Sequence, residues 1–160
     1  MQGVPRAAPL LLLLLVAVAL GACGEEKGDT AEDKKAYVAK VNEVQERFAS
    51  EVTTVTTEYT SKSSTDQDQK TLKAFETAIS SFVEELRAIK VPSSLTTEHT
   101  QLVGAMRGYA DDIAQANDAL KNPTTRTLAE ASDRIRTATQ TVNTRLIAAR
   151  EAINTKLNAN

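Results

Sequence analysis

The chain has one cysteine, one histidine and no tryptophan, and only 4% of its 160 residues are aromatic. A lone cysteine excludes an intramolecular disulfide framework. One thiol and one imidazole also exclude most all-protein zinc sites, and no Cys-x-x-Cys-His is present for covalently attached haem. So few aromatic rings leave little surface for stacking bases or caging a cation. An excess of charge of one sign is missing as well: 19 Lys and Arg face 21 Asp and Glu, a formal net charge of −2. A nucleic-acid binder needs a basic face to displace counterions, so nucleic acid is not an expected partner. The length suits one domain of ordinary size rather than two packed ones.

What the chain does have is one long apolar run, and it lies at the N-terminus. Residues Met1–Arg6 carry a single charge, on Arg6, and Ala7–Leu20 is then almost continuously apolar. A bilayer-spanning helix needs about 20 apolar residues, so this run is too short. A basic start, a short apolar stretch and small residues at the end are instead the order of an export signal. The run closes on Leu20-Gly21-Ala22-Cys23. These four residues resemble the lipobox of bacterial lipoproteins, in which a Leu precedes two small residues and a Cys. The resemblance implies cleavage between Ala22 and Cys23, a diacylglycerol on the Cys23 sulfur and acylation of the freed amino group, palmitate being a typical chain. A plain secretory signal cut after Ala22 would instead leave Cys23 as a free thiol with no evident purpose. One acyl chain holds a protein to a membrane only marginally, whereas two or more hold it firmly, at ~0.8 kcal/mol per buried methylene. The expected location is the cell membrane, lipid-anchored and facing the extracytoplasmic side. Residue 24 is Gly rather than Asp, which leaves the outer membrane open as a destination in a cell with two membranes.

Removing residues 1–22 takes away one Arg and no acid, so 18 bases then face 21 acids. This mild acidity provides no basic patch for anionic lipid, and the acyl chains must anchor alone. The next segment, Gly24-Glu25-Glu26-Lys27-Gly28-Asp29-Thr30, has no apolar residue and is expected to form a flexible tether. The organisation read from the chain is therefore a signal peptide over 1–22, a lipidated tether over 23–33 and a helical domain over 34–160.

In that domain the apolar residues recur every three or four positions. The first stripe is Tyr37, Val41, Val44, Phe48, Val52, Val55 and Tyr59; the second is Leu72, Phe75, Ile79, Phe82, Leu86 and Ile89. The third runs Leu95, His99, Leu102, Met106, Tyr109, Ile113, Ala116 and Leu120, and the fourth runs Leu128, Ala131, Ile135, Ala138, Val142, Leu146, Ala149 and Ile153. Such stripes mark amphipathic helices, and nothing comparable alternates with period two. The β-branched stretch Val52–Thr57 is a poor helix former, but the stripe continues through it. The breaks fall at Ser61–Asp66, at Val91-Pro92-Ser93-Ser94 and at Asn122-Pro123. Thr65 or Asp66 is expected to cap the second helix, Ser93 or Ser94 the third, and Asn122 the fourth with Pro123 in its first position. Three short connections predict an all-α, up-down-up-down four-helix bundle.

Candidates for chemistry are few. His99 lies on an apolar stripe with no second imidazole, and Met106 is seven residues away, about 10 Å along the helix and too far to share a metal with it. A structural His99 is expected, its ring packed between helices and bonded to a neighbouring side chain or to the Pro92–Thr97 turn. The adjacent pairs Glu84-Glu85 and Asp111-Asp112 point about 100° apart on a helix and do not converge. Glu43 with Arg47, Asp66 with Lys70 and Glu130 with Arg134 have the spacing of surface ion pairs. Gly104 and Gly108 form a Gly-x-x-x-Gly, read as a close helix approach or local flexibility, with a groove for a partner helix as the functional reading.

The segments Glu84–Pro92 and Glu98–Leu102, where a helix ends at Pro and the next begins with a His before a Leu, are similar to a loose pattern in small uncharacterised helical lipoproteins of high-GC Gram-positive bacteria. The resemblance implies a habitat and a helical fold, and no activity. Together these features predict a non-enzymatic binding or structural module of the cell envelope. Such a module is held to the membrane through Cys23, with an envelope protein as partner and no cofactor or metal. The alternative is a binder of a small apolar ligand in a cavity between the helices.

Overall fold

The structure is a computed structural model that describes residues 29–57 and 64–159. These residues form four α-helices: α1 (Ala31–Thr57), α2 (Thr65–Arg87), α3 (Thr96–Ala119) and α4 (Thr125–Asn158), with a 3-10 turn at Ser93–Leu95 ahead of α3. No strand occurs among the described residues, as expected of an all-α chain. The predicted stripes supply most of one core, in which Tyr37, Val41, Ile79, Leu86, Leu95, Leu102, Met106, Ile113 and Ile153 are fully buried. Val38, Ala78, Val83 and Ala105 join them from positions beside the stripes, and Leu157 extends the fourth stripe by one step. Each helix thus presents a face wider than a strict 3–4 seam, as a globular bundle requires.

One stripe residue is overturned. Leu128 is 44% exposed, the one large hydrophobic residue exposed among the described residues. It lies in the first turn of α4, beyond the layer where Ala116, Leu120 and Ala131 close that end of the core. The glycine pair also departs from the close-approach reading. A Cβ at Gly104 would meet nothing within 4 Å, and one at Gly108 would sit 3.6 Å from the Arg145 guanidinium, an ordinary contact. Gly104→Ala therefore keeps only the gain in helix propensity, and chemical denaturation should show about 1 kcal/mol of added stability. A loss would mean that the position needs glycine.

The helix starts also differ from expectation. Ser64, one residue earlier than predicted, caps α2: its backbone is extended and its side chain accepts from the Gln67 N–H at 3.3 Å. Thr124, not Asn122, caps α4, and Pro123 stays outside the helix. Thr124 Oγ1 accepts from the Thr127 N–H at 3.1 Å, while Thr127 Oγ1 accepts from the Thr124 N–H at 2.8 Å. This is a reciprocal capping box with Thr in the place usually taken by Glu or Gln. No side chain of its own segment caps α3; the donors ahead of it are met from elsewhere in the chain.

Side-chain contacts tie neighbouring helices together. Arg47 of α1 reaches Glu85 of α2 with Nη2 at 2.8 Å while its Nη1 meets Glu43 at 2.6 Å, the latter pair as expected. Phe48 stacks on Phe82 with centroids 4.5 Å apart. Phe75 of α2 meets Tyr109 of α3 edge-on, and the Tyr109 hydroxyl lies 3.2 Å from Thr139 Oγ1 of α4. Arg134 is drawn to Asp112 of α3 at 3.3 Å, and Glu130, its expected partner, is met by Arg126 at 3.6 Å. These exposed pairs contribute ~0–1 kcal/mol each and mainly set register.

Candidate functional site

Ala22 and Cys23, the residues assigned to cleavage and lipid attachment, lie outside the described residues. The described part begins inside the segment read as tether, and it is already docked there. The Asp29 carboxylate accepts from the Ser93 N–H and the Ser94 N–H, both at 2.7 Å, and from the Ser93 hydroxyl at 3.1 Å. These bonds, from Ser94 and then Ser93, hold the Asp29 carboxyl well below the usual carboxylate range. Asp29 thus caps the 3-10 turn Ser93–Leu95 that leads into α3. Next to it, Thr30 and Asp33 bond reciprocally, with the Thr30 hydroxyl donating to Asp33 at 2.6 Å. Lys90, just past α2, reaches Asp33 at 3.3 Å. The bonds from Thr30, followed by Lys90, lower the Asp33 pKa. Helix α1 begins at Ala31, inside the segment read as tether.

At the same end of the molecule a polar group in the core joins three helices. The His99 ring of α3 is buried. Its Nε2 lies 3.1 Å from the Leu86 carbonyl at the end of α2, and its Nδ1 lies 3.1 Å from the Tyr37 hydroxyl of α1. A carbonyl only accepts, so Nε2 carries the proton, and Nδ1 accepts from the tyrosine O–H. The Leu86 carbonyl, in the last turn of α2, also accepts from the Ile89 N–H at 3.1 Å, so the imidazole is its second donor. Burial lowers the His99 pKa against an opposing hydrogen bond to Leu86, so the ring is held neutral. Burial, reinforced by the Glu98 charge, raises the Tyr37 pKa. The expected structural His99 is thus placed between helices and bonded to a side chain, but its backbone partner belongs to the end of α2 and not to the Pro92–Thr97 turn.

Glu98, unremarked in the sequence beyond its helix-start position, is 9% exposed. Its Oε1 lies 3.8 Å from Lys156 of α4, and its buried Oε2 has no hydrogen-bond partner among the described residues. No sequence signal marks it, because its burial depends on α4 crossing over the start of α3. The adjacent carboxylates diverge: Glu84 pairs with Arg87 at 3.0 Å and Glu85 with Arg47. No group of three or more His, Cys, Asp or Glu among the described residues is placed to hold a metal ion.

Two concavities stand out among the described residues. A cleft lined by Val44, Phe48, Ser81 and Phe82 has no room for a water molecule. An open depression of about 390 Å³ between α2 and α3 is lined by Asp66, Gln69, Lys70, Lys73, Asn117 and Lys121. Neither is an enclosed apolar cavity of the kind a small apolar ligand would occupy. No described helix is long and apolar enough to cross a membrane. In comparisons with known proteins the chain matched no family model, no curated protein and no solved structure.

Proposed function

We propose that the chain is a membrane-anchored extracytoplasmic lipoprotein whose helical bundle serves as a non-enzymatic binding or structural module of the cell envelope. The observation that carries this reading is Leu20-Gly21-Ala22-Cys23 at the end of an apolar run too short to span a bilayer. Residues 1–22 are the signal, Cys23 takes the lipid, and a tether leads into a bundle whose helices run up-down-up-down. That topology is supported by pairs joining the start of one helix to the end of a neighbouring one: Asp33 with Lys90, His99 with Leu86, Glu98 with Lys156. The non-enzymatic reading is favoured by how the one imidazole is used, since both ring nitrogens of His99 are occupied inside the core.

Lipidation is tested directly. Wild-type protein should partition into the detergent phase and carry the added mass of a diacylglycerol, and Cys23→Ser should abolish both. Wild-type protein recovered with an unmodified Cys23 refutes the proposal. Crosslinking on intact cells should then join the domain to an envelope protein.

A further inference from the structure

We infer that Asp29 is a latch that stands the bundle end-on at the membrane, with the end bearing the turn between α2 and α3 against the lipid surface. The inference rests on the lipid anchor at Cys23. Between that residue and Asp29 lie residues 24–28, and six residue steps span at most about 20 Å even when fully extended. Asp29 is not a free end. Two backbone N–H groups at 2.7 Å and the Ser93 hydroxyl fix its carboxylate to the turn. The Asp33–Lys90 pair at 3.3 Å and the Thr30–Asp33 bond hold the next turn of chain to the same end.

The acyl chains must stay in the bilayer, so the Ser93–Leu95 turn lies no further from the lipid surface than this short lead permits. The other end of α3 lies about 35 Å away along the helix axis, at 1.5 Å per residue over its 24 residues. The docked end therefore faces lipid, and the opposite end faces outward with the start of α2, the end of α3, the start of α4 and the exposed Leu128. Without the latch, the lead would lengthen from Asp29 to the first turn of α1, and the domain could swing about α1 alone.

The test uses the lipidated full chain bound to vesicles of phosphatidylethanolamine and phosphatidylglycerol carrying a headgroup energy acceptor. Cys23 is blocked by lipid, so a donor dye can be placed on one introduced thiol. Thr97→Cys marks the docked end and Asn122→Cys the opposite end; both positions are exposed. Energy transfer should be several-fold stronger from position 97 than from position 122. Asp29→Ala should narrow the difference, and Asp29→Asn, which keeps one of the two acceptor oxygens, should narrow it less. Circular dichroism of each variant verifies that the bundle is folded. Equal transfer from both positions in the wild-type background, or an unchanged ratio in a folded Asp29→Ala variant, overturns the latch and leaves the anchor standing. A wild-type chain recovered without lipid on Cys23, unable to bind the vesicles, overturns both.

Discussion

Phe82→Ala should lower the stability of the domain by ~3–5 kcal/mol, the range for emptying a buried phenylalanine site. Phe82 is buried and stacks on Phe48 with a 24° interplanar angle, across the seam between α1 and α2. Truncation removes its apolar area and also the ring pair, which contributes ~0.5–1.5 kcal/mol beyond burial. Neighbouring side chains cannot refill the space, since the cleft beside it, lined by Val44 and Phe48, already has no room for a water molecule. Domains of this size are stable by about 5–15 kcal/mol, so the variant would lie near the edge of folding. Leu102→Ala, at a fully buried position of α3, should cost ~2–5 kcal/mol by the same mechanism. Urea unfolding with an unchanged slope and a midpoint well below wild type is the expected result. An unmoved midpoint in either variant would show that the side chain is not core.

His99→Leu should be the second large effect, about 1–3 kcal/mol, and its origin is different. Leucine fills much of the volume but leaves the buried Tyr37 hydroxyl without its partner and the Leu86 carbonyl with its Ile89 bond alone. His99→Gln can reach one of the two and should cost less. The pH dependence separates the imidazole from its neighbours. Burial lowers the folded-state pKa of His99 below its ordinary value of 6.5. Below that value the unfolded chain binds the proton more readily than the folded one. The His99 contribution is therefore complete above about pH 6.5 and is lost as pH falls towards the folded pKa. Asp68 acts in the opposite sense, because burial raises its carboxyl pKa, so acid relieves the cost of its charge. Thermal unfolding from about pH 7.5 to pH 5 should show wild-type stability declining and His99→Gln declining less. Parallel curves would mean that His99 is not held neutral by the fold.

The stripes of Val41, Phe82, Leu102 and Ile153 were legible without coordinates because helical period is local. A residue three or four positions on shares a face whatever else the chain does. The existence of four helices and most of their buried faces follows from that spacing together with Pro92 and Pro123. The Cys23 assignment is also local, since four consecutive residues carry it. Other features depend on where the chain path brings distant groups. The donors ahead of α3 carry Ser93 and Ser94, which read as caps in sequence, but the carboxylate that meets them belongs to Asp29, 64 residues earlier. Thr124 carries no capping-box signature in the sequence because its reciprocating partner is Thr127, a residue without the usual side chain for that role. The spacing of His99 placed it on a buried face, and only packing supplied Tyr37 and the Leu86 carbonyl, which together settle its tautomer. Leu128 has the right period and is exposed because the core ends one layer before it. Periodicity determines which face a helix buries; how far along its length a neighbour covers that face, and which polar groups are caught beneath, is decided only when the helices pack.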